Sequence, residues 1–240
     1  MGKRMRSDLP KVVHNFNGKP MITKIVNQCI ETKPTKIIVI IGKETQCIRD
    51  YVPDNELIVF ATQEQPLGTG HALMACSEHL TGYDADTTVT VICGDTPLIQ
   101  SSLISATSIP FNERQVARIL AFEEKNPYGY GRIIMDDGIF QKIVEEKECS
   151  DKEKLVTTVN SGVYSFNINC LLDNLFNITN DNATGEFYLT DIFEIIVANK
   201  NDDDEINVTI LDPHLKQMLK GVNTPEQLKE LELEECKAKA

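Results

Sequence analysis

The sequence predicts an α/β fold with a mostly parallel sheet, and three observations carry that expectation. Apolar stretches with helical spacing alternate with short β-branched runs through residues 20–122, the βαβα order that builds parallel sheets with helices on both faces. Runs such as Ile37–Ile41 are apolar without interruption, as strands covered on both faces are. Polar residues and glycines gather where those runs end, at Gly42, Thr62-Gln63 and Gly94-Asp95. In open α/β sheets, ligands sit beyond the carboxyl ends of the strands.

The elements follow in order. Pro20 to about Thr32 sets Met21, Ile22, Ile25, Val26, Cys29 and Ile30 at helical spacing. After the strand Ile37–Ile41 come a short helix over 44–52, a strand over Leu57–Ala61 and a helix over Thr69–Leu80 that opens right after Gly68. Val89–Cys93 is a further buried strand, ending at Gly94-Asp95, and a helix over 101–108 leads into a strand over 116–122. The second half changes character. Residues 131–135 and 139–146 alternate about Asp137-Gly138, a strong hairpin signal. A strand over Ser161–Phe166 precedes helices over 169–176 and 188–199, and Ile206–Leu211 is the last strand. Thr224-Pro225-Glu226-Gln227 opens a terminal helix: Thr is the N-cap, Pro takes the first helical position, and Gln closes a capping box. No linker or repeat intervenes, so residues 1–240 are expected to form a single domain.

Composition narrows the function. Apolar residues make up 41% of the 240, enough for a sizeable core, while Trp is absent and aromatics are 6%, so that core is mainly Val, Ile and Leu. A net charge of −12 and a pI of about 4.8 argue against a nucleic-acid partner, because binding phosphate backbones needs clustered Lys and Arg. No run approaches the roughly 18 apolar residues of a membrane span. The basic start Met1-Gly2-Lys3-Arg4-Met5-Arg6 has no apolar stretch behind it, unlike a signal peptide, and Arg6 stands where myristoylation wants Ser or Thr. The seven cysteines form no Cys-x-x-Cys pair, which reads as reduced thiols in a cytoplasmic compartment. His14, His71, His79 and His214 show no metal-ligand spacing and read as ordinary core or surface residues. Association into a homo-oligomer is left open.

Four constellations carry chemistry. In Cys93-Gly94-Asp95-Thr96-Pro97 a carboxylate stands just past a buried strand, suited to Mg²⁺, which prefers one or two carboxylates plus phosphate oxygens and water. A strand-end Asp on its own is more often a turn or N-cap residue. Gln63-Glu64-Gln65-Pro66-Leu67-Gly68-Thr69-Gly70-His71 frees backbone N–H groups at a helix start, and the Gln63 amide, donor and acceptor together, fits the edge of a pyrimidine. Gly-Thr-Gly alone would equally serve a plain strand–loop–helix turn, and no Gly-Lys-Ser/Thr follows to make a Walker loop. Arg4, and Lys11 presented by Pro10, are cations in an acidic chain that suit phosphate, although charge alone would equally suit a frayed, solvated terminus. Asn126-Pro127-Tyr128-Gly129-Tyr130-Gly131-Arg132 is a glycine-rich turn whose backbone could touch a sugar. Glu145 and Asn160, at strand ends, read by themselves as surface groups.

In this order the motifs carry a resemblance. Arg4-Met5, Ser7-Asp8-Leu9-Pro10-Lys11-Val12, Gly18-Lys19-Pro20-Met21, Leu67-Gly68-Thr69-Gly70-His71-Ala72 and Gly94-Asp95-Thr96-Pro97-Leu98 are followed by Asn126-Pro127, Gly129-Tyr130-Gly131-Arg132-Ile133, Ile143-Val144-Glu145, Asn160-Ser161-Gly162, Gly185-Glu186-Phe187-Tyr188-Leu189-Thr190-Asp191 and Gly221-Val222-Asn223. Nearly end to end, the chain resembles the uridyltransferase domain of the bacterial-type N-acetylglucosamine-1-phosphate uridyltransferase family. The resemblance implies a Rossmann-like, glycosyltransferase-A-like nucleotidyltransferase fold. It implies that UTP and N-acetylglucosamine-1-phosphate are joined, with Mg²⁺, into UDP-N-acetylglucosamine and pyrophosphate. It further implies that Asp95 and Asn223 hold the metal, that Gln63, Gly68, Thr69 and Gly94 hold the nucleotide, and that Gly131, Glu145, Asn160, Tyr188 and Thr190 hold the sugar. Arg4 and Lys11 would face the phosphates as the catalytic cations.

Two departures from the family pattern set further expectations. The family opens with a strand and Leu-Ala-Ala-Gly-x-Gly-Thr-Arg-Met, whereas this chain begins at about the second glycine, with Gly2-Lys3-Arg4-Met5. That strand is usually central to the sheet, so unpaired backbone groups and a groove in the core are expected. Cys93 stands where the family often has an aromatic residue. The chain stops after the terminal helix, so the acetyltransferase β-helix that bacterial homologues carry there is not expected in residues 1–240. Two other functions keep the same fold: a homologue that binds sugar nucleotides without turnover, and a sister enzyme using another sugar phosphate.

Overall fold

The computed structural model describes residues 5–202 and 204–238. After a 3-10 turn at Lys11–Val13, the two-residue strands β1 (Asn15–Phe16) and β2 (Lys19–Pro20) pair about Asn17-Gly18. Both turn residues take positive φ, 48° and 81°, as a tight hairpin turn needs. Helix α1 (Met21–Glu31) buries Met21, Ile22, Ile25 and Val26 on the face predicted from their spacing. Then come β3 (Ile37–Gly42), a 3-10 helix over Lys43–Tyr51 where a short helix is expected, β4 (Ile58–Gln63) and α2 (Thr69–Met74).

The helix expected over Thr69–Leu80 divides. The Cys76 backbone N–H and thiol both bond the Leu73 carbonyl, at 3.1 Å each. That i−3 geometry tightens the chain, and Ser77–Leu80 continues as a 3-10 turn. Next are β5 (Thr88–Val91), α3 (Ser101–Thr107), β6 (Gln115–Glu123), the hairpin of β7 (Arg132–Asp136) and β8 (Ile139–Val144), and β9 (Thr158–Asn167). Asp137 and Gly138 adopt φ of 45° and 79°, the left-handed pair that a two-residue hairpin turn demands. Helices α4 (Ile168–Leu175) and α5 (Asp191–Asn199), strand β10 (Glu205–Ile210) and helix α6 (Pro225–Ala238) complete the order. The capping box of α6 forms as expected: Gln227 N–H donates to Thr224 Oγ1 and Thr224 N–H to Gln227 Oε1, both at 3.2 Å.

The strands form a mixed sheet. Parallel ladders join β3 to β4 and β10 to β6, while β9 runs antiparallel to β5, β6 and β7, and β7 to β8. In the six-stranded sheet β5, β6, β7 and β10 therefore point one way, and β8 and β9 the other. The largest core cluster lies between this sheet and α4 and α5, with Phe140, Tyr164, Phe166 and Phe193 packed edge or face.

Between β3 and β5 the sheet is interrupted. Among the described residues β3 pairs with β4 alone and β5 with β9 alone. The facing edges border a groove of about 690 Å³ lined by Ile38, Ile40, Val89 and Val91 among others. The Thr88 hydroxyl, also in its lining, is buried without a hydrogen bond. The groove expected from the sequence is thus present. It also corrects the expectation that these runs are buried on both faces: β3 alternates buried Val39 and Ile41 with half-exposed Ile38 and Ile40, and all of β5 is half-exposed. No helix of the described residues is long and apolar enough to cross a membrane.

Candidate active site

The N-terminal turn meets the end of β5. Gly94 lies against Val12, where a Cβ would stand 3.1 Å from the Val12 methyl, so a side chain there would push the turn away. This contact sets Lys11 beside Asp95, and the Lys11 ammonium bonds both Asp95 Oδ2 and, at 2.9 Å, Asn223 Oδ1. Asn223 is held in place because Val222 N–H donates to the Asp95 carbonyl at 2.8 Å. Gly221 lies beside the carboxylate, its would-be Cβ at ordinary contact distance, 3.4 Å from Asp95 Oδ1.

Two oxygens therefore converge on one cationic point, a carboxylate and an amide carbonyl from residues 128 apart in sequence. This donor set fits Mg²⁺, which takes few protein carboxylates and completes its shell with phosphate and water. Among the described residues no three of His, Cys, Asp and Glu gather as a metal cluster, so any site here is of that sparse kind. Arg4 lies outside the described residues.

Gln63 closes β4, in register with Gly42 at the end of β3. Its Nε2 donates to the Gly68 carbonyl at 3.0 Å and lies 3.0 Å from His71 Nδ1. His71, read from the sequence as an ordinary core or surface residue, is thus a partner of the predicted base-reading amide. The loop that follows is pinned to the segment before α5: Phe187 N–H bonds the Leu67 carbonyl and Gly70 N–H the Phe187 carbonyl, both at 2.8 Å, and Leu189 N–H donates to Thr69 Oγ1 at 3.0 Å. These bonds tie Phe187 and Leu189 to the loop, and a turn at 189–190 then leads into α5, which starts at Asp191 and not at 188.

The predicted sugar residues form two contacts. Asn160 Nδ2 donates to Tyr164 Oη at 2.6 Å, and Asn160 N–H to the Gly131 carbonyl at 2.9 Å. A Cβ on Gly131 would stand 3.1 Å from Ile143 and 3.4 Å from Asn160, so the glycine is needed for this approach. Glu145 Oε1 accepts from Thr190 Oγ1 at 2.9 Å, and the Tyr188 hydroxyl bonds Thr184. Beneath the glycine-rich turn, buried Arg132 pairs with Glu146 at 2.6 Å, and Glu146 also accepts from Gly129 N–H at 3.1 Å.

Electrostatics ties these groups to one centre. Burial pushes the Cys93 thiol up to about 12, and Asp95, Lys11 and Glu145 all act on it. Its Sγ packs on Gly162, where a Cβ would lie only 2.7 Å away. Burial also raises Glu145, partly offset by the Thr190 hydrogen bond. Asp191 is raised to about 6, by burial first and then by Glu145, Glu194 and Glu148. The sequence reading singled out neither Asp191 nor Tyr164. Asp191 does close the Gly185–Asp191 motif, whereas Tyr164 is one more apolar residue of a buried strand.

The comparisons with known proteins follow this arrangement. A family model described as nucleotidyl transferase matches residues 5–210. The chain is 37% identical over 234 residues to a Clostridium botulinum protein named bifunctional protein GlmU, covering 97% of this chain and 49% of that one. It thus spans about half the length of the curated relatives of that kind. It is also 37% identical over 238 residues to an Acanthamoeba polyphaga mimivirus protein named probable UDP-N-acetylglucosamine pyrophosphorylase, covering 97% and 91%. A solved apo UDP-glucose pyrophosphorylase shares the fold, with a TM-score of 0.69 at 15% identity over 100% of this chain and 96% of that one.

Proposed function

This chain belongs to the nucleotidyl transferase family, and on that premise we propose that it joins UTP to N-acetylglucosamine-1-phosphate, forming UDP-N-acetylglucosamine and pyrophosphate. The observation that carries the reading is the convergence of Lys11, Asp95 and Asn223, a cation and two oxygen ligands suited to phosphate and Mg²⁺. The name of the mimivirus relative favours N-acetylglucosamine over other sugars.

A phosphate oxygen of the sugar phosphate attacks the α-phosphorus of UTP, and the bond from that phosphorus to the pyrophosphate oxygen breaks. No covalent enzyme intermediate is required, so the chain needs to position the reactants and offset their charge. Asp95 and Asn223 would hold Mg²⁺, which when bound neutralises phosphate charge. Lys11, and Arg4 with it, neutralises further phosphate oxygens. Gln63, Gly68, Thr69 and Gly94 receive the nucleotide. Glu145, ionised, accepts hydrogen bonds from sugar hydroxyls, while Thr190 fixes its carboxylate and Asn160, Tyr188 and the Gly131 backbone complete the sugar side. Soluble substrates and unpaired cysteines fit a cytoplasmic setting.

The test is a pyrophosphate-release assay with UTP, N-acetylglucosamine-1-phosphate and Mg²⁺, with glucose-1-phosphate as the competing acceptor. Turnover with the amino sugar is expected to dominate, and Asp95→Asn to lower it by about two orders of magnitude. Preference for glucose-1-phosphate would identify a sister enzyme, and near-normal turnover in Asp95→Asn would remove that carboxylate from the mechanism.

A further inference from the structure

We propose that His71 is a positioning residue that fixes which face of the Gln63 amide the nucleotide base meets, so that the site accepts a base with a ring N–H and rejects one with a ring-nitrogen acceptor. The inference rests on the uridylyl-transfer reading and deepens it.

A carboxamide has two N–H donors on its nitrogen and an acceptor oxygen, and its two ends are otherwise similar in shape. The Gly68 carbonyl, 3.0 Å from the amide, can only accept. Turning the amide over would set oxygen against oxygen at that distance. The nitrogen therefore faces Gly68, and its second hydrogen is directed to His71 Nδ1, also at 3.0 Å. For that bond to form, His71 is the neutral imidazole with its proton on Nε2. Both Gln63 donors are then consumed inside the protein, and Oε1 is left to face a ligand.

The consequence is chemical. A lone outward acceptor pairs with the N3–H of uracil. Cytosine offers an unprotonated N3 at the same position, and the two acceptors repel. Neither partner of the amide is free to drift. Gly68 and Gly70 flank Phe187, whose carbonyl would lie 2.5 Å from a Cβ on Gly68 and 3.0 Å from one on Gly70. The His71 ring lies 6.0 Å from the Phe187 ring, centroid to centroid, at 41°. His71 is the third residue of α2, two after Thr69, so the helix sets the height of Nδ1 relative to the end of β4. The residue that selects the base is thus held by one that never touches it.

The test measures binding of UTP and of CTP, each with Mg²⁺, to the full chain and to two variants. The wild-type protein is expected to favour UTP. His71→Leu keeps the bulk but removes one of the two acceptors, leaves the Gly68 bond alone to orient the amide, and should reduce the UTP-to-CTP preference about five-fold, the worth of one hydrogen bond. His71→Asn places a carbonyl oxygen near the position of Nδ1 and should restore most of the preference. A merely structural role for His71 would weaken both nucleotides alike and leave the ratio unchanged, so an unchanged ratio in His71→Leu, or no rescue by His71→Asn, overturns the proposal. Wild-type protein that binds CTP as well as UTP overturns the outward-oxygen assignment. Wild-type protein that binds neither overturns the uridylyl-transfer reading itself, and the lock with it.

Discussion

At the scale of single residues, the carboxylates Glu145 and Asp191 are the sharpest departure from ordinary behaviour. Asp191 is raised to about 6 by burial and by the neighbouring Glu145, Glu194 and Glu148. Its folded-state value lies above the unfolded one, so the folded protein holds this proton more tightly. Ionising it then costs stability, and the cost is fully present above the folded pKa. Stability from this group is expected to fall as pH rises from about 4 to about 6. Asp191→Asn should flatten that slope and raise the urea midpoint near neutral pH. A variant as pH-dependent over this window as the parent would refute the assignment. Such a shift was not legible in the sequence, because burial is a property of what packs around the group. Asp95 was better placed for reading: its position after a β-branched run set it on a strand end before any contact was known. What the sequence could not supply was the Lys11 ammonium bonded to both Asp95 and Asn223.

Elements decide where the loops go. The 67–70 loop and the 187–189 segment are joined by hydrogen bonds although more than a hundred residues separate them in sequence, and this pairing fixes the loop after Gln63 beside the start of α5. Gly68 makes it possible, with φ of 116° and no room for a side chain against Phe187. Gly68→Ala is expected to destabilise the protein by about 3 kcal/mol in chemical denaturation, through backbone strain and the broken pairing. Gly82→Ala has a comparable φ of 82° but open space around it and should cost only about 1 kcal/mol. Equal losses at the two sites would mean that close approach to Phe187 is not what the first glycine provides. Local signals read well here: the 137–138 turn and the α6 capping box are both as their residue types dictate. The start of α5 was misread by three residues because a non-local hydrogen bond to Thr69 overrides helical spacing.

For the whole molecule, the groove between β3 and β5 governs how much each apolar residue contributes. Ile41 is 2% exposed and packs with α1, whereas its neighbour Ile40 lines the groove and keeps partial contact with solvent. Ile41→Ala should cost about 3 to 4 kcal/mol, and Ile40→Ala only about 1, because a side chain already beside a void loses fewer contacts on truncation. Equal costs by urea denaturation would show the groove to be filled in solution. The sequence by itself determined the α/β class, the order of strands and helices, the carboxyl-edge placement of Gln63 and Asp95, and the family resemblance, since these rest on periodicity and local motifs. Only the tertiary structure decided that β9 runs antiparallel to three strands, that β3 and β5 stand apart, that His71 meets Gln63 and that Asp191 is buried near Glu145. Strand pairing, burial and hydrogen-bond partners arise between residues distant in sequence, and no local pattern encodes them.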